Sequence, residues 1–207
     1  ELLHHPAFDL KVPNKVYALI RAFGANHARF HAADGAGYAF MADQVIALDA
    51  LNPQVAARIA RAATGRDLVL LGGYHGWHDW YLAANLADPG ALDRHLFPGV
   101  AVAGVPSALQ GTALAFPADD LEALRSLVHE HGQRIAAVVM EPARNGVPPQ
   151  GHLAGVRALA DEVGAVLVFD EITSGFRTRV GGMHLSLGVE PDIAVFGKGM
   201  SNGYPMA

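Results

Sequence analysis

The sequence predicts an α/β domain built on a mainly parallel β-sheet and preceded by an all-helical segment. Two observations predict this fold class. Before about residue 56, apolar residues recur at helical spacing and no strand-like run interrupts them. From Arg66 onward, short β-branched runs alternate with amphipathic stretches, which is typical of βαβ units with right-handed crossovers. The 207 residues allow one domain of ordinary size with a helical appendage.

The N-terminal segment contains three candidate helices with recognisable start or stop signals. Asn14 is a candidate N-cap for the first helix. A turn at Asp34-Gly35 separates it from a second apolar stripe over 38–48, and Asn52-Pro53 opens a third helix that ends near Gly65. We find no nucleophile, acid–base pair or metal-ligand spacing in this segment, so we expect a helical scaffold from it.

The second part contains six candidate strands and two candidate helices. The candidate strands are short apolar runs bounded by turn residues. They cover Leu68–Leu71, Val100–Val102, Thr112–Phe116, Ala136–Met140, Val166–Phe169 and Ile193–Phe196. The candidate helices cover Asp119–His131 and Leu153–Val163, and Gly164 is the stop signal of the second.

Composition excludes several classes of function. Fifteen basic against 20 acidic side chains give a formal charge of −5, which argues against a general nucleic-acid binder with a basic face. The absence of cysteine excludes disulfides, thiolate nucleophiles and cysteine-ligated metal sites, and it makes the cytoplasm the expected compartment. The apolar runs are far shorter than the roughly 20 residues of a membrane span, so we expect a soluble protein without a membrane partner.

Three of the predicted strands run into ionisable residues at one edge of the sheet, where ligands of parallel sheets gather. These residues are Glu141, the pair Asp170-Glu171, and Lys198. A buried carboxylate needs a cationic or proton-donating partner, and burial favours the neutral lysine amine that attacks a carbonyl. A pyridine-type cofactor with an aldehyde meets both needs, because Asp170 can hold the protonated ring nitrogen while Lys198 forms a Schiff base.

A glycine-rich loop follows another strand at the same edge. Glycines such as Gly73 let the backbone approach a ligand closely, and Tyr74 offers a flat face for stacking on an aromatic ring. We therefore include Gly73, Tyr74 and His75 among the candidate cofactor-binding residues. His75 and His78 stand three positions apart, but no third ligand accompanies them, and the sequence predicts no metal site.

From about residue 56 to residue 207 the sequence resembles the class III aminotransferases, which depend on pyridoxal 5'-phosphate (PLP) and include glutamate-1-semialdehyde aminomutase. The motifs that carry the resemblance are Ala60-Arg61-Ala62-Ala63-Thr64-Gly65-Arg66-Asp67, Tyr74-His75-Gly76, Glu141-Pro142, Phe169-Asp170-Glu171-Ile172-Thr173-Ser174-Gly175-Phe176-Arg177 and Gly197-Lys198-Gly199. The spacing between Asp170 and Lys198 is typical of the family. Taken together, these motifs make the resemblance specific.

The resemblance implies a role for each candidate residue. Lys198 carries the Schiff base and shuttles a proton, Asp170 binds the pyridinium nitrogen, Tyr74 stacks on the ring and Glu141 is a pocket carboxylate. The implied reaction transfers an amino group between a small-molecule amino donor and a carbonyl acceptor, with aminotransferase and aminomutase both open. For Glu171 a pocket role and a structural ion pair also remain open, as they do for Arg177.

Residues 1–56 resemble a different family, the C-terminal helical domain of the zinc metallopeptidase aminopeptidase N. The motifs are His5-Pro6-Ala7-Phe8, Pro13-Asn14-Lys15-Val16, Phe30-His31-Ala32-Ala33-Asp34-Gly35, Gly37-Tyr38 and Leu51-Asn52-Pro53-Gln54-Val55-Ala56. Because that domain holds no zinc ligand, the resemblance implies a scaffold without peptidase activity. We expect a helical segment over 1–56 and a partial aminotransferase large domain over 57–207. A natural fusion, a recombination product and an assembly artefact all remain open.

Two parts of the family's cofactor site are expected to be missing. The family binds the cofactor phosphate at a Gly-Ser/Thr-Glu-Ala helix start, where this sequence has Leu51-Asn52-Pro53-Gln54-Val55 and Pro53 has no N–H to donate. The sequence ends soon after Lys198, so we also expect the small domain and much of the family's homodimer interface to be absent. The alternative hypothesis is a non-catalytic fusion whose helical segment is an interaction module.

Overall fold

A computed structural model describes residues 53–95, 97–144 and 146–201. These residues form a five-stranded sheet with helices on both faces. The strands are β1 (Leu68–Gly72), β2 (Ala113–Ala115), β3 (Ile135–Met140), β4 (Val166–Asp170) and β5 (Ile193–Val195). The α-helices are α1 (Pro53–Thr64), α2 (Asp79–Leu82), α3 (Ala84–Ala87), α4 (Leu121–His131), α5 (His152–Val163) and α6 (His184–Leu187), with 3-10 turns at Ser107–Leu109, Gly132–Arg134 and Lys198–Ser201.

All five strands pair in parallel, in the order β2-β1-β3-β4-β5. This order confirms the predicted α/β class with a mainly parallel sheet. The two helices predicted within residues 1–52 lie outside the described residues. The third helix, which the Asn52-Pro53 signal predicts, is observed as α1.

The central strands are buried on both faces, which explains their nearly continuous apolar sequences. On one face, side chains of α4 and α5 pack against alternate strand residues such as Leu70, Val138 and Phe169. On the other face, α1 presents Ala57 and Ala60 to the sheet, and these small side chains let the helix lie close to the strands. The two cores hold the carboxyl edge of the sheet rigidly.

Local capping sets the helix boundaries within one or two residues of the prediction. Helix α4 begins at Leu121 because the side chain of Asp120 accepts a hydrogen bond from the backbone N–H of Ala123, at 2.9 Å. Helix α5 ends at Val163 because Gly164 adopts a left-handed conformation with φ of 63°.

The strand predicted at Val100–Val102 is wrong. The side-chain amide of Asn85 donates to the carbonyl oxygen of Val100 at 3.0 Å, and the N–H of Val105 donates to the carbonyl oxygen of Val102. The backbone groups of this short run are therefore used by a side chain and a turn. Within this run only Val100 is buried, and none of the three residues belongs to the sheet.

The strand register aligns the carboxyl ends of the central strands. Gly72 of β1 pairs with Met140 of β3, which pairs with Phe169 of β4, and Asp170 pairs with Val195 of β5. The residues that follow these strands therefore lie side by side along one edge. Among the described residues, no helix combines the length and apolar character that a membrane span requires.

Candidate active site

Asp170 is a buried carboxylate at the carboxyl end of β4. Its residue is 4% exposed, and its Oδ2 lies 2.9 Å from Nδ1 of His75, in the loop after β1. Its Oδ1 accepts a hydrogen bond from the backbone N–H of Ile172 at 3.1 Å. An ionised carboxylate can only accept hydrogen bonds, so Nδ1 of His75 is the donor when Asp170 is ionised.

His75 is itself fixed by its surroundings. The residue is 2% exposed, and its ring stacks on Trp80 with 6.3 Å between centroids and 20° between planes. Trp80 and Tyr81 belong to α2 and pack into the core between α1 and the sheet. A buried aromatic core thus determines where His75 presents its Nδ1–H to Asp170.

Lys198 begins the 3-10 turn that follows β5 and is exposed at the same edge of the sheet. Its Nζ donates to Oγ1 of Thr173, at 3.0 Å. Its φ of 43° lies in the left-handed region, where a residue with a Cβ is strained by about 1 to 2 kcal/mol. The structure therefore places the side-chain amine of Lys198, a residue with a strained backbone conformation, after the strand that neighbours the strand of Asp170.

The glycines after β1 allow close packing at the strand ends. A Cβ atom on Gly72 would lie 2.5 Å from the ring of Phe116. Gly73 has φ of 128°, and its Cβ would lie 3.0 Å from a carboxylate oxygen of Glu141. Both positions therefore require glycine, and Gly73 brings the loop backbone against the residue that follows β3.

Tyr74 follows Gly73 and packs against an aromatic cluster formed by Trp77 and Tyr81. Its ring makes edge contacts with Trp77 and Tyr81, each with 5.8 Å between centroids. The guanidinium carbon of Arg144 lies 5.5 Å from the ring centroid, within the range of a cation–π interaction. Burial raises the pKa of Tyr74, which keeps the phenol neutral near pH 7.

Glu141 is a buried carboxylate with a cationic partner. The residue is 6% exposed, and NH1 of Arg144 donates to both carboxylate oxygens, at 2.8 and 2.7 Å. One of these oxygens also accepts the backbone N–H of Tyr74 at 3.2 Å. Arg144 thus joins the carboxylate that follows β3 to the ring in the loop that follows β1.

A cavity of about 340 Å³ lies over the ends of β1, β2 and β3. Four prolines form part of its wall, and its ionisable lining residues are Arg94, His95, Asp119, Glu141 and Arg144. Burial lowers the pKa of His95, so its imidazole is neutral at pH 7. Glu141 and Gly73 line this cavity, whereas Asp170 and Lys198 do not.

Glu171 is fully buried beside Asp170 but faces a different set of partners. Its carboxylate accepts hydrogen bonds from the hydroxyl of Ser174, from the backbone N–H of His184 at 2.8 Å and from Nδ1 of His184 at 2.8 Å. Burial raises the pKa of Glu171, but the donors of Ser174, His184 and Met183 outweigh burial and hold the pKa below its ordinary value. Of the two roles left open for Glu171, these contacts favour the structural pair.

Arg177 also makes a local contact, since its Nε donates to the carbonyl oxygen of Thr173 at 2.5 Å. The contacts of Lys198, Glu141 and Glu171 add three residues to which we had assigned no role from the sequence. They are Thr173, Arg144 and His184. Thr173 stood inside the quoted motif around Asp170. Arg144 stands three positions after Glu141, just beyond the quoted Glu141-Pro142 motif, whereas His184 lies thirteen positions after Glu171 and reaches it only through the fold of the intervening segment.

The arrangement suits an aromatic cofactor better than a metal ion. Within the described ranges, no three metal-ligating side chains lie together. The edge instead provides a buried carboxylate oriented by a histidine, an amine, and a tyrosine ring beside a glycine backbone. This donor set fits a heterocycle that carries a basic nitrogen and an aldehyde.

Two family models match the sequence. The model for class-III aminotransferases matches residues 50–207. The model for a domain of unknown function (DUF3458_C) with ARM repeats matches residues 1–65, which is consistent with the resemblance of the first segment to an aminopeptidase helical domain. The two matches overlap at residues 50–65. The domain boundary between residues 56 and 57 stays a prediction.

Individual relatives agree with the first model. The chain is 43% identical over 157 residues to glutamate-1-semialdehyde 2,1-aminomutase of Desulfovibrio desulfuricans, covering 73% of this chain and 36% of that protein. It is 34% identical over 159 residues to 3-aminobutyryl-CoA aminotransferase of Cloacimonas acidaminovorans, covering 74% of this chain and 34% of that protein. The chain therefore spans about a third of the length of the curated relatives it matches.

A solved structure extends the agreement to three dimensions. The FumI protein of Sphingopyxis sp. MTA144, in its PLP internal aldimine form, superposes with a TM-score of 0.61 at 28% identity. The match covers 74% of this chain and 35% of that one.

Proposed function

The chain belongs to the class III aminotransferases over residues 50–207, and from this membership we propose that it supports PLP-dependent transfer of an amino group. The observation that carries the proposal is that Asp170 and Lys198 follow neighbouring parallel strands at one edge, with Asp170 held by His75. The named relatives include an aminomutase and an aminotransferase, so either reaction type fits the same residues. The substrates are a small-molecule amino donor and a carbonyl acceptor.

PLP, when bound, supplies an aldehyde for capture by an amine and a protonated ring that withdraws electrons from the substrate carbon. Asp170 would bind the ring nitrogen, because its carboxylate is buried and is oriented by its contact with Nδ1 of His75. His75 therefore acts through Asp170. Replacing the carboxylate by a neutral group would leave the ring nitrogen without a counter-charge.

Lys198 is the Schiff-base lysine of the proposal. Its Nζ would hold PLP through the aldehyde carbon, with water as the leaving group, and the amine set free by the substrate would be placed to move a proton at the substrate carbon. Thr173 holds this nitrogen through its Oγ1 at 3.0 Å, which limits the positions the flexible lysine side chain can take. A lysine held in this way loses less conformational entropy when it reacts.

Tyr74, Gly73 and Glu141 form the remaining proposed wall. Tyr74 stacks on the heterocycle, Gly73 lets the backbone come close, and Glu141 contributes a carboxylate whose charge Arg144 balances. We propose weak retention of PLP by this chain, because Pro53 begins α1 without an N–H where the family binds the phosphate. For the whole protein we propose the homodimer that is typical of the family.

An absorption experiment tests the proposal. The 207-residue chain mixed with PLP should develop an imine band near the edge of the visible range, and the Lys198→Ala variant should not. Lys15→Ala is the matched control, because Lys15 belongs to the first segment, and it should keep the band. If Lys198→Ala gives the same band as the unaltered chain, the proposal fails and the non-catalytic alternative stands.

A further inference from the structure

The carboxylate of Glu171 closes a loop of the chain onto itself. Glu171 follows Asp170 at the end of β4, and its carboxylate is bound by donors of Ser174, Met183 and His184. The segment 171–184 thus leaves the sheet and returns to the side chain at which it started. The fully buried carboxylate of Glu171 can carry its negative charge only because several hydrogen-bond donors bind it.

Tight packing at two glycines shows how closely this segment is fixed. A Cβ atom on Gly182 would lie 2.8 Å from Oε1 of Glu171, and it would also collide with the ring of His184. A Cβ atom on Gly175 would lie 2.7 Å from the ring of Phe196, which stands two positions before Lys198. The closed segment therefore has little room to shift between Glu171 and Phe196.

The turn Lys198–Ser201, which we call the lysine loop, packs against segment 171–184. A Cβ atom on Gly199 would lie 2.9 Å from the carbonyl oxygen of Gly175, and Nζ of Lys198 donates to the hydroxyl of Thr173. Both partners belong to segment 171–184. The left-handed φ of Lys198 persists only where its surroundings outweigh the strain, and these are the surroundings that the structure provides.

We propose that Glu171 and His184 are positioning residues for Lys198, which fix segment 171–184 and thereby set the position of the lysine amine. The inference rests on the proposed function of Lys198. His184 matters because its Nδ1–H and its backbone N–H both bind Oε1 of Glu171, so one residue supplies two of the donors. The role proposed for both residues is exerted through segment 171–184, so they are positioning residues and not catalytic ones.

The test compares substitutions of His184 that keep or remove the Nδ1 donor. In His184→Asn the side-chain amide can donate from nearly the same position, whereas His184→Phe keeps an aromatic ring and loses the donor. His129→Phe is the control, because His129 is an exposed histidine on α4. Each chain is mixed with PLP, sampled over time with borohydride, and digested for mass spectrometry.

The lysines of the sequence are Lys11, Lys15 and Lys198, so the first two report non-specific labelling in the same sample. We expect His184→Phe to slow labelling of Lys198 about tenfold, because misplacing a reacting group carries a penalty of this order or more. Labelling of Lys11 and Lys15 should not change. His184→Asn should restore most of the rate, and His129→Phe should match the unaltered chain.

Amide hydrogen exchange without PLP gives a second readout. His184→Phe should speed exchange within 171–184 and 196–201 while leaving β1 and β3 protected. If His184→Phe does not fold, Ser174→Ala removes one donor from the same carboxylate with a smaller change in volume, and it should slow Lys198 labelling in the same direction.

The outcomes separate the two claims. Unchanged Lys198 labelling in a folded His184→Phe chain, or unchanged labelling in Ser174→Ala where the first variant does not fold, overturns the positioning role alone. Failure of His184→Asn to restore the rate also overturns it. If the unaltered chain labels Lys198 no faster than Lys11 and Lys15, the proposed function fails first and the inference falls with it.

Discussion

Nδ1 of His75 lies 2.9 Å from Oδ2 of Asp170, and both side chains are almost fully buried. The contact joins the loop after β1 to the end of β4, across the intervening strand β3. Because both carboxylate oxygens have hydrogen-bond partners within the protein, the orientation of the carboxylate is fixed without a ligand. A cationic ring nitrogen would find its counter-charge already oriented.

Replacing Asp170 by asparagine tests this counter-charge. We expect Asp170→Asn to weaken PLP binding about 10- to 100-fold, because hydrogen bonds to a charged partner contribute roughly 1.5 to 3 kcal/mol. Quenching of tryptophan fluorescence during PLP titration measures the affinity. Asp88→Asn, at an exposed aspartate, is the control and should leave the affinity unchanged. Equal affinities in all three chains would contradict the role of Asp170.

Removing Arg144 tests the ion pair with Glu141. Arg144→Met leaves a carboxylate that is 4% exposed without its cation, and we expect the free energy of unfolding to fall by about 1 to 2 kcal/mol. This expected loss of unfolding free energy is smaller than for a fully buried ion pair, because the Arg144 side chain is 31% exposed to water. Urea unfolding measures the change, and the double variant Glu141→Gln/Arg144→Met should recover part of it.

The matched control for Arg144 is Arg125→Met. Arg125 pairs with Glu122 on the surface of α4, where both side chains are exposed and such pairs contribute about 0 to 1 kcal/mol. A loss in Arg125→Met as large as that in Arg144→Met would mean that burial of the Glu141 pair has no special effect.

Because of Glu171 we expect the free energy of unfolding to fall at acidic pH. Its folded pKa lies below the ordinary value of 4.5, so the folded state binds fewer protons than the unfolded state as the pH falls. The stabilisation is therefore complete above about pH 4.5 and declines as the pH falls toward the folded pKa. Urea midpoints measured between about pH 3 and 7 follow the decline, which Glu171→Gln should reduce.

Asp192 adds to the same acid response, since burial raises its pKa but the Leu167 N–H and Arg157 together lower it. Glu190→Gln, at an exposed glutamate, is the control for Glu171→Gln and should keep the full pH dependence. An unaltered acid slope in Glu171→Gln would show that the donors around Glu171 do not stabilise its charge.

Gly72 predicts a steric effect at the end of β1. In Gly72→Ala the new Cβ would lie 2.5 Å from the buried ring of Phe116, and we expect destabilisation by about 1 to 3 kcal/mol. Gly146→Ala places its Cβ where no atom lies within 4 Å, so it should change stability by less than about 0.5 kcal/mol. Thermal unfolding of the two variants side by side decides whether this strand end is as tightly packed as described.

The strands and the main helices could be predicted because their signals are local. Continuous apolar runs, an N-cap at Asp120 and a stop at Gly164 depend on neighbours in sequence. The run Val100–Val102 misled the prediction because its backbone partner is the side chain of Asn85, fifteen residues earlier. No periodicity in the run itself records that contact.

The site was predictable at the strand ends and not in its supporting contacts. Parallel strands with short exits place Asp170 and Lys198 at one edge whatever the loops do. The partner His184 depends on how the segment after β4 folds back over thirteen residues, which the spacing of residues does not encode, whereas Arg144 stands only three positions after Glu141 and was overlooked. Asp170 and Lys198 were therefore predictable as candidates and their roles stay predictions, whereas Arg144 and His184 were missed.

The central claim is that PLP reacts selectively with Lys198, because Asp170 binds the opposite side of the PLP ring. The direct measurement is borohydride reduction of the PLP-treated chain, followed by mass spectrometry of the sites that carry a pyridoxyl group. We predict that Lys198 carries most of the label and that Asp170→Asn lowers only the Lys198 label. Equal labelling of Lys11, Lys15 and Lys198, unchanged by Asp170→Asn, would contradict the account.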